Sequence, residues 1–138
     1  MSYVDFFILP LPEGNFEEYQ QQAQTFSTVM KDFGLIRYCE AIADDVPRGQ
    51  VTDFYKSVAA TDGETIVASF AVWPDKKTRD YAWNEGMKDE RLAAIDGHKR
   101  LFDGKRMIYG GFKPIVEVDP SAPSPRHASH SPDRSSSP

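Results

Sequence analysis

Two stretches of this chain, residues 3–9 (YVDFFIL) and 65–73 (TIVASFAVW), carry apolar side chains at both parities of a strand. That feature constrains the fold most. A strand dry on one side alternates apolar and polar residues, whereas one covered on both sides reads as a nearly continuous apolar run. In the first stretch Val4, Phe6 and Ile8 oppose Tyr3, Asp5, Phe7 and Leu9. In the second, Ile66, Ala68, Phe70 and Val72 oppose Val67, Ser69, Ala71 and Trp73. Any sheet built from them has two faces that need covering.

The other elements follow from punctuation and period. Pro10 and Pro12 are expected to stop the first strand. Asn15 with Glu18 resembles a capping box, and Phe16, Tyr19, Ala23, Phe26, Met30 and Phe33 follow at helical spacing up to Gly34. Residues 35–43 read as a second strand and 65–73 as a third. The connection at 44–63 holds Val46-Pro47-Arg48-Gly49, a short helix at 54–59 capped by Thr52 or Asp53, and the Asp62-Gly63 turn. Whether it is a lid is left open. Asp75 should cap a second helix reaching about Met87, with Tyr81, Ala82 and Met87 inward, and a further turn at 90–95. The last strand is expected over 105–118, with a bulge or bend at Gly110-Gly111 and an edge position for Pro114. The order β-α-β-β-α-β gives an α+β, ferredoxin-like plan with an antiparallel sheet.

A length of 138 residues suits one core. The domain is expected over 1–118, followed by a disordered Ser/Pro-rich tail at 119–138, too poor in apolar area to offset its ordering entropy. The tail's Ser124-Pro125, Ser131-Pro132 and Ser137-Pro138 pairs suit proline-directed kinases or an inert solubilising segment. A net charge of −5, with Lys and Arg scattered among acids, argues against nucleic acid as a partner. No apolar run of membrane-spanning length and no leader-like N-terminus is present, and Cys39 is the only cysteine. A cytoplasmic setting and no membrane partner are expected.

Two helices cover one side of such a sheet. Their natural target is the wholly apolar set of Val4, Phe6, Ile8, Ile66, Ala68, Phe70 and Val72, joined by Cys39, Ala41 and Ala43, and by Ile108 and Phe112. The face left over then holds Tyr3, Phe7, Leu9, Ile42 and Trp73, with Asp5, Tyr38, Glu40, Ser69 and Tyr109 as sparse polar groups. Such a face is too apolar for water. The economical cover is a second copy, so the chain is expected to be a homodimer, its two sheets closing a barrel with a cavity between the sheets or between sheet and helices.

On that leftover face Asp5, Glu40, Tyr38 and Tyr109 are candidate catalytic groups. Phe7, Ser69, Trp73, Asp103, Arg106 and Met107 are candidate ligand-binding residues. A buried carboxylate there would have a raised pKa and serve as a proton acceptor. The competing reading makes the aromatics packing and pairs Asp5 and Glu40 with Arg37 or Arg106. Similarly, Asp103 and Arg106 either orient a ligand at a pocket mouth or build a tight turn. His98 lies in a polar loop and His127 and His130 in the tail, so no metal site is expected. Without a phosphate loop or dinucleotide fingerprint, no cofactor is expected either.

Three segments resemble one family: Tyr3-Val4-Asp5 with Pro10, Ala43-Asp44-Asp45-Val46-Pro47 with Gly49, and above all Phe102-Asp103-Gly104-Lys105-Arg106-Met107-Ile108-Tyr109-Gly110-Gly111-Phe112. The chain is identified by them as similar to the DUF1428 (YbaA-like) family of the dimeric α+β barrel superfamily. The resemblance implies the barrel dimer and no particular reaction. Phe6 stands where relatives commonly show glycine, which would narrow a pocket. Three functions remain open. The first is binding of a small apolar or aromatic molecule on the helix-free sheet face. The second is a cofactor-independent monooxygenase or isomerase using Asp5 or Glu40 as base, with Tyr38 or Tyr109 orienting the substrate. The third is a structural or stress-response dimer without a ligand.

Overall fold

The structure, a computed structural model, describes residues 2–95 and 100–118. The expected disordered tail at 119–138, with His127 and His130, lies outside the described residues, as does His98. Four strands, β1 (Tyr3–Pro12), β2 (Arg37–Ile42), β3 (Glu64–Trp73) and β4 (Ile108–Phe112), form one antiparallel sheet in the order β2-β3-β1-β4. The helices are α1 (Phe16–Asp32), α2 (Phe54–Ser57), α3 (Lys76–Glu85) and α4 (Glu90–Ala93). This is the ferredoxin-like α+β plan. No helix among the described residues is long and apolar enough to cross a membrane.

The punctuation worked differently from expectation in several places. Pro10 and Pro12 do not end β1, which pairs with β3 through Pro12. β4 accompanies β1 only as far as Ile8, so both prolines sit where β1 has become an edge strand, the position a residue without N–H tolerates. Asn15 makes no capping bond; its Nδ2 donates to the Leu101 carbonyl at 2.7 Å and so pins the start of α1 to the chain before β4. The other end of α1 does close as read. Gly34 takes φ +106°, and the Leu35 N–H reaches back to the Met30 carbonyl, a Schellman closure. Asp53 and Asp75 cap α2 and α3, each accepting a backbone N–H at 2.7 Å. α3 ends at Glu85 and continues as a 3-10 turn, Gly86–Lys88; of its expected inner residues Ala82 is buried, while Tyr81 and Met87 are exposed.

β4 is much shorter than the expected 105–118. Asp103 caps a 3-10 turn, Gly104–Arg106, ahead of it, and the chain leaves the sheet after Phe112. The Gly110-Gly111 pair makes no bulge, since the register runs unbroken from Val4↔Phe112 to Ile8↔Ile108.

The main correction concerns which face the helices cover. The two residue sets were divided as expected, but assigned the wrong way round. Val29 and Met30 of α1, Ala82 of α3 and Leu92 of α4 pack with Ala71 and Trp73, and with Tyr3, Phe7 and Tyr38. Leu9, Leu11 and Val67 form a second cluster on the same side with Tyr19, Phe102 and Met107. The other face carries Phe6 edge-on to Phe112, with ring centroids 5.2 Å apart, and Arg37 over Phe70 at 5.6 Å. The physical reason lies in the polar residues. Asp5 is buried and Tyr38 and Glu40 are half-buried, so their polar atoms need partners, and Arg79, Trp83 and Tyr19 on the helices supply several of them; the wholly apolar set makes no such demand.

Candidate functional site

Between the sheet and the helices lies a cavity of about 360 Å³. Its floor is the helix-side row of the sheet, where the register places Glu40 opposite Ser69 and Ser69 opposite Phe7. α1 contributes Tyr19, Gln22, Ala23 and Phe26 to the walls; Trp83, Met87 and Leu92 come from the α3–α4 side, and Phe102 and Met107 from the approach to β4. Aromatic contacts run through it: Phe7 to Trp83 at 6.0 Å, Trp83 to Phe26 at 5.6 Å and Phe26 to Tyr38 at 5.7 Å. No residue of the 44–63 connection is among those lining this cavity.

Among the described residues, one charged group faces this apolar space. Glu40 accepts a hydrogen bond from the Tyr19 hydroxyl at 2.7 Å through Oε1, and another from the Tyr38 hydroxyl through Oε2. Burial raises the pKa of Glu40, and the two phenol bonds only partly counter it. Burial, reinforced by the neighbouring carboxylate, also pushes both tyrosines well above the ordinary phenol value, so they stay protonated as donors. A carboxylate with two of its four lone-pair sites filled can accept further donors from a bound molecule. Its raised proton affinity suits it to receive a proton, and the phenols to steady an oxygen that gains charge.

Asp5 has a different role. It is 3% exposed and fully engaged: Trp73 and Trp83 each donate an indole N–H to Oδ2 at 3.0 Å, and Arg79 donates Nη2 to Oδ1 at 2.7 Å. This cluster ties β1 and β3 to α3 and engages both oxygens of the carboxylate. The expected partners, Arg37 and Arg106, are not used by Asp5 or Glu40.

Arg106 forms a clamp instead. It grips Glu64 with two bonds at 2.7 and 2.8 Å, Asp103 at 3.0 Å and the Ala59 carbonyl at 2.8 Å, so four of its five N–H donors hold the turn before β4. Arg106 holds the Glu64 carboxyl down to about 2. Asp103 and Arg106 hold this turn and are not among the residues lining the cavity.

Of the candidates, Tyr38, Glu40, Phe7, Ser69 and Met107 meet at the cavity. Asp5 and Trp73 sit behind it in the anchoring cluster. Tyr109 stands opposite Phe7 in the register but is 71% exposed on the outer strand and is not among the residues lining the cavity. Phe6 points to the helix-free face and does not narrow the cavity. Sequence reasoning missed Tyr19, Phe26, Trp83 and Phe102 as site residues. Tyr19 and Phe26 were legible as the inner stripe of α1; Trp83 and Phe102 carried no periodic signal. Among the described residues no group of His, Cys, Asp and Glu has a metal-holding arrangement.

Comparison with known proteins agrees with this architecture. The family described as "Protein of unknown function (DUF1428)" matches residues 2–104. The uncharacterized protein YbaA of Escherichia coli K12 is 41% identical over 117 residues, covering 85% of this chain and 99% of YbaA. Among solved structures, a variant of SnoaB, a cofactor-independent oxygenase from Streptomyces nogalater, aligns with TM-score 0.50 at 16% identity, covering 84% of this chain and 96% of SnoaB. A dimeric ferredoxin-like protein from an uncultured marine organism aligns with TM-score 0.51 at 10% identity, covering 85% and 98% of the two chains. At these identities the structural likeness establishes the fold alone.

Proposed function

Because the chain belongs to the DUF1428 family, whose description names no reaction, we propose that it is a homodimeric binding protein for a small aromatic or otherwise apolar molecule bearing a hydroxyl group. The molecule occupies the cavity between sheet and helices, not the helix-free face. The observation that carries this reading is the isolated Glu40 carboxylate, held by two phenols, at the edge of an aromatic-walled cavity. A largely apolar pocket with few convergent polar groups is what orients a small ligand. At about 360 Å³ the space falls in the lower part of the range for small-molecule sites.

The dimer is supported by the opposite face. Phe6, Ile108 and Phe112 stay exposed there beside Val4, Ile8, Phe70 and Val72, a patch that a second copy of the same sheet would cover. Native mass spectrometry of the full chain, before and after denaturation, tests both parts. A dimer that releases a small molecule on denaturation is expected; a monodisperse monomer overturns the dimer. For a ligand-free preparation, titration with 2-naphthol followed by tryptophan fluorescence should saturate through Trp83, and a response without saturation counts against the cavity.

A second reading draws on the raised proton affinity of Glu40. In a cofactor-independent oxygenase or isomerase, Glu40 would take a proton from the substrate while Tyr19 or Tyr38 holds its oxygen. SnoaB, of like fold, is such an oxygenase. Oxygen uptake with a panel of quinols, absent in Glu40→Gln, would favour catalysis over binding alone.

A further inference from the structure

The helix-side row of β3 reads Val67, Ser69, Ala71, Trp73, a single hydroxyl in an otherwise apolar line. Ser69 is only 5% exposed, nearly as enclosed as its neighbours. A hydroxyl in such a place costs stability unless something bonds it. Among the described residues no group hydrogen-bonds the Ser69 hydroxyl, although none of their fully enclosed side-chain oxygens or nitrogens lacks a partner. The little surface that Ser69 keeps therefore includes its oxygen, and that oxygen opens on the cavity the residue lines.

Its neighbour across the sheet is Glu40. The Ala43 N–H donates to the Ile66 carbonyl at 2.8 Å, and the register runs on through Ile42↔Val67 to Glu40↔Ser69. Alternation from that bond makes Glu40 and Ser69 a non-hydrogen-bonded pair, the kind whose Cα atoms approach to about 4.5 Å and whose side chains stand closest. Close as they are, the two side chains do not bond each other. Glu40 lifts one carboxylate oxygen off the floor to Tyr19 on α1 and turns the other to Tyr38 on its own strand. The serine hydroxyl, one bond beyond its Cβ, stays at floor level. Of the other polar groups on the lining, both phenols are committed to Glu40, and Gln22 stands half-buried on the α1 wall. A charged acceptor and an unengaged donor thus stand side by side at different heights on the cavity floor.

We propose that the cavity takes an aromatic ring carrying oxygens on two neighbouring carbons, a catechol-type molecule, and that Ser69 is the residue that selects it. The proposal rests on the binding reading of the preceding subsection and adds a second polar contact to it. One ligand hydroxyl donates to Glu40, and the oxygen on the next carbon accepts from Ser69. The difference in height favours two oxygens over one, since a single hydroxyl would have to meet both the raised carboxylate and the low serine. A ring whose hydroxyls lie far apart satisfies only one of the two groups at a time. Because the Ser69 hydroxyl gives up no bond within the fold, the contact it makes to a ligand is a gain for binding without a loss elsewhere.

Calorimetric titration of the full-length protein with 2,3-dihydroxynaphthalene and 2,7-dihydroxynaphthalene, under nitrogen, tests this, because the isomers carry the same groups at different spacings. Wild type should bind the adjacent-hydroxyl isomer roughly fivefold or more tightly than the other, the worth of one neutral hydrogen bond. Ser69→Ala should erase that preference and leave the affinity for the separated isomer unchanged. The same variant should melt close to wild type, as it loses no bond within the fold; a fall of many degrees would show the hydroxyl holding the fold and overturn the proposal. Equal affinities for the two isomers in wild type, a preference that survives in Ser69→Ala, or an equal loss for both isomers in that variant overturns the selection of adjacent oxygens and leaves the binding reading standing. Saturable binding of neither isomer overturns both.

Discussion

The Tyr19 hydroxyl on α1 lies 2.7 Å from Oε1 of Glu40 on β2, so the wall and the floor of the cavity are joined at the one charged group that the described residues bring to it. Replacing Glu40 by glutamine keeps the shape and an oxygen acceptor, while the amide can donate to a phenol that in turn acts as acceptor. Folding should be retained. A hydroxylated aromatic such as 2-naphthol should bind about tenfold or more weakly, the loss expected for a charged hydrogen bond. Calorimetric titration gives the comparison, and equal affinities in the two proteins would remove Glu40 from the site.

The same residue shapes stability against pH. The pKa of Glu40 is raised in the folded state, so between the ordinary glutamate value of 4.5 and the raised value the folded protein holds more protons than the unfolded chain. Stability from this group is present below that window and declines as pH rises through it. Glu64, held down to about 2 by Arg106, acts in the opposite sense, losing its contribution as pH falls from 4.5 through about 2. The difference between wild type and Glu40→Gln isolates the first group. Denaturant midpoints measured from pH 4 upward should show wild type losing ground relative to the variant as pH increases; parallel curves would mean that Glu40 titrates as an ordinary exposed acid.

Asp5→Asn should cost stability and not merely activity. It leaves Arg79 facing a neutral amide and asks one carboxamide oxygen to serve partners now shared by two carboxylate oxygens. Arg79 keeps Asp80 at 2.9 Å and some solvent, so a loss of roughly 2–3 kcal/mol is expected, toward the low end for a broken buried pair. Urea unfolding measures it. A fully stable Asp5→Asn protein that had lost ligand binding would return Asp5 to the list of functional groups.

Much of this architecture can be read from the chain because β1 and β3 advertise two dry faces, and α1 marks its stripe and its Gly34 end. The orientation of the faces was harder to see. Val4, Phe6 and Ile8 look like the better helix-facing set until the partners of Asp5 are counted, and those partners, Trp73, Trp83 and Arg79, come together only in three dimensions. The site was half legible for the same reason. Tyr38 and Glu40 share a strand face by parity alone, whereas Tyr19 meets them only once α1 is laid across the sheet. Arg106 was legible as important but not as a clamp, because Glu64 and the Ala59 carbonyl lie some forty residues away.

The two adjacent glycines of β4 should respond very differently to alanine. A Cβ on Gly111 would lie 2.4 Å from the Tyr3 hydroxyl oxygen and 2.7 Å from Arg79 Nη2, inside the cluster that surrounds Asp5. On Gly110 it would meet only a Phe112 ring carbon at 3.6 Å, an ordinary contact. Gly111→Ala is expected to cost about 1–3 kcal/mol, whereas Gly110→Ala should be close to neutral. Thermal melts of the two variants side by side decide this, and equal losses would point to a shared backbone requirement that the regular register does not suggest.

Phe6→Asp probes the helix-free face directly. Phe6 is 45% exposed and touches Phe112 on that face, away from the cavity, so a charge there leaves the Glu40 site and the helix-side core untouched. Its cost in the dimer is the burial of a carboxylate against a second apolar sheet, which association cannot easily offset. Sedimentation velocity at micromolar protein should show a folded monomer in place of a dimer. A variant that stays dimeric would place the contact away from this face.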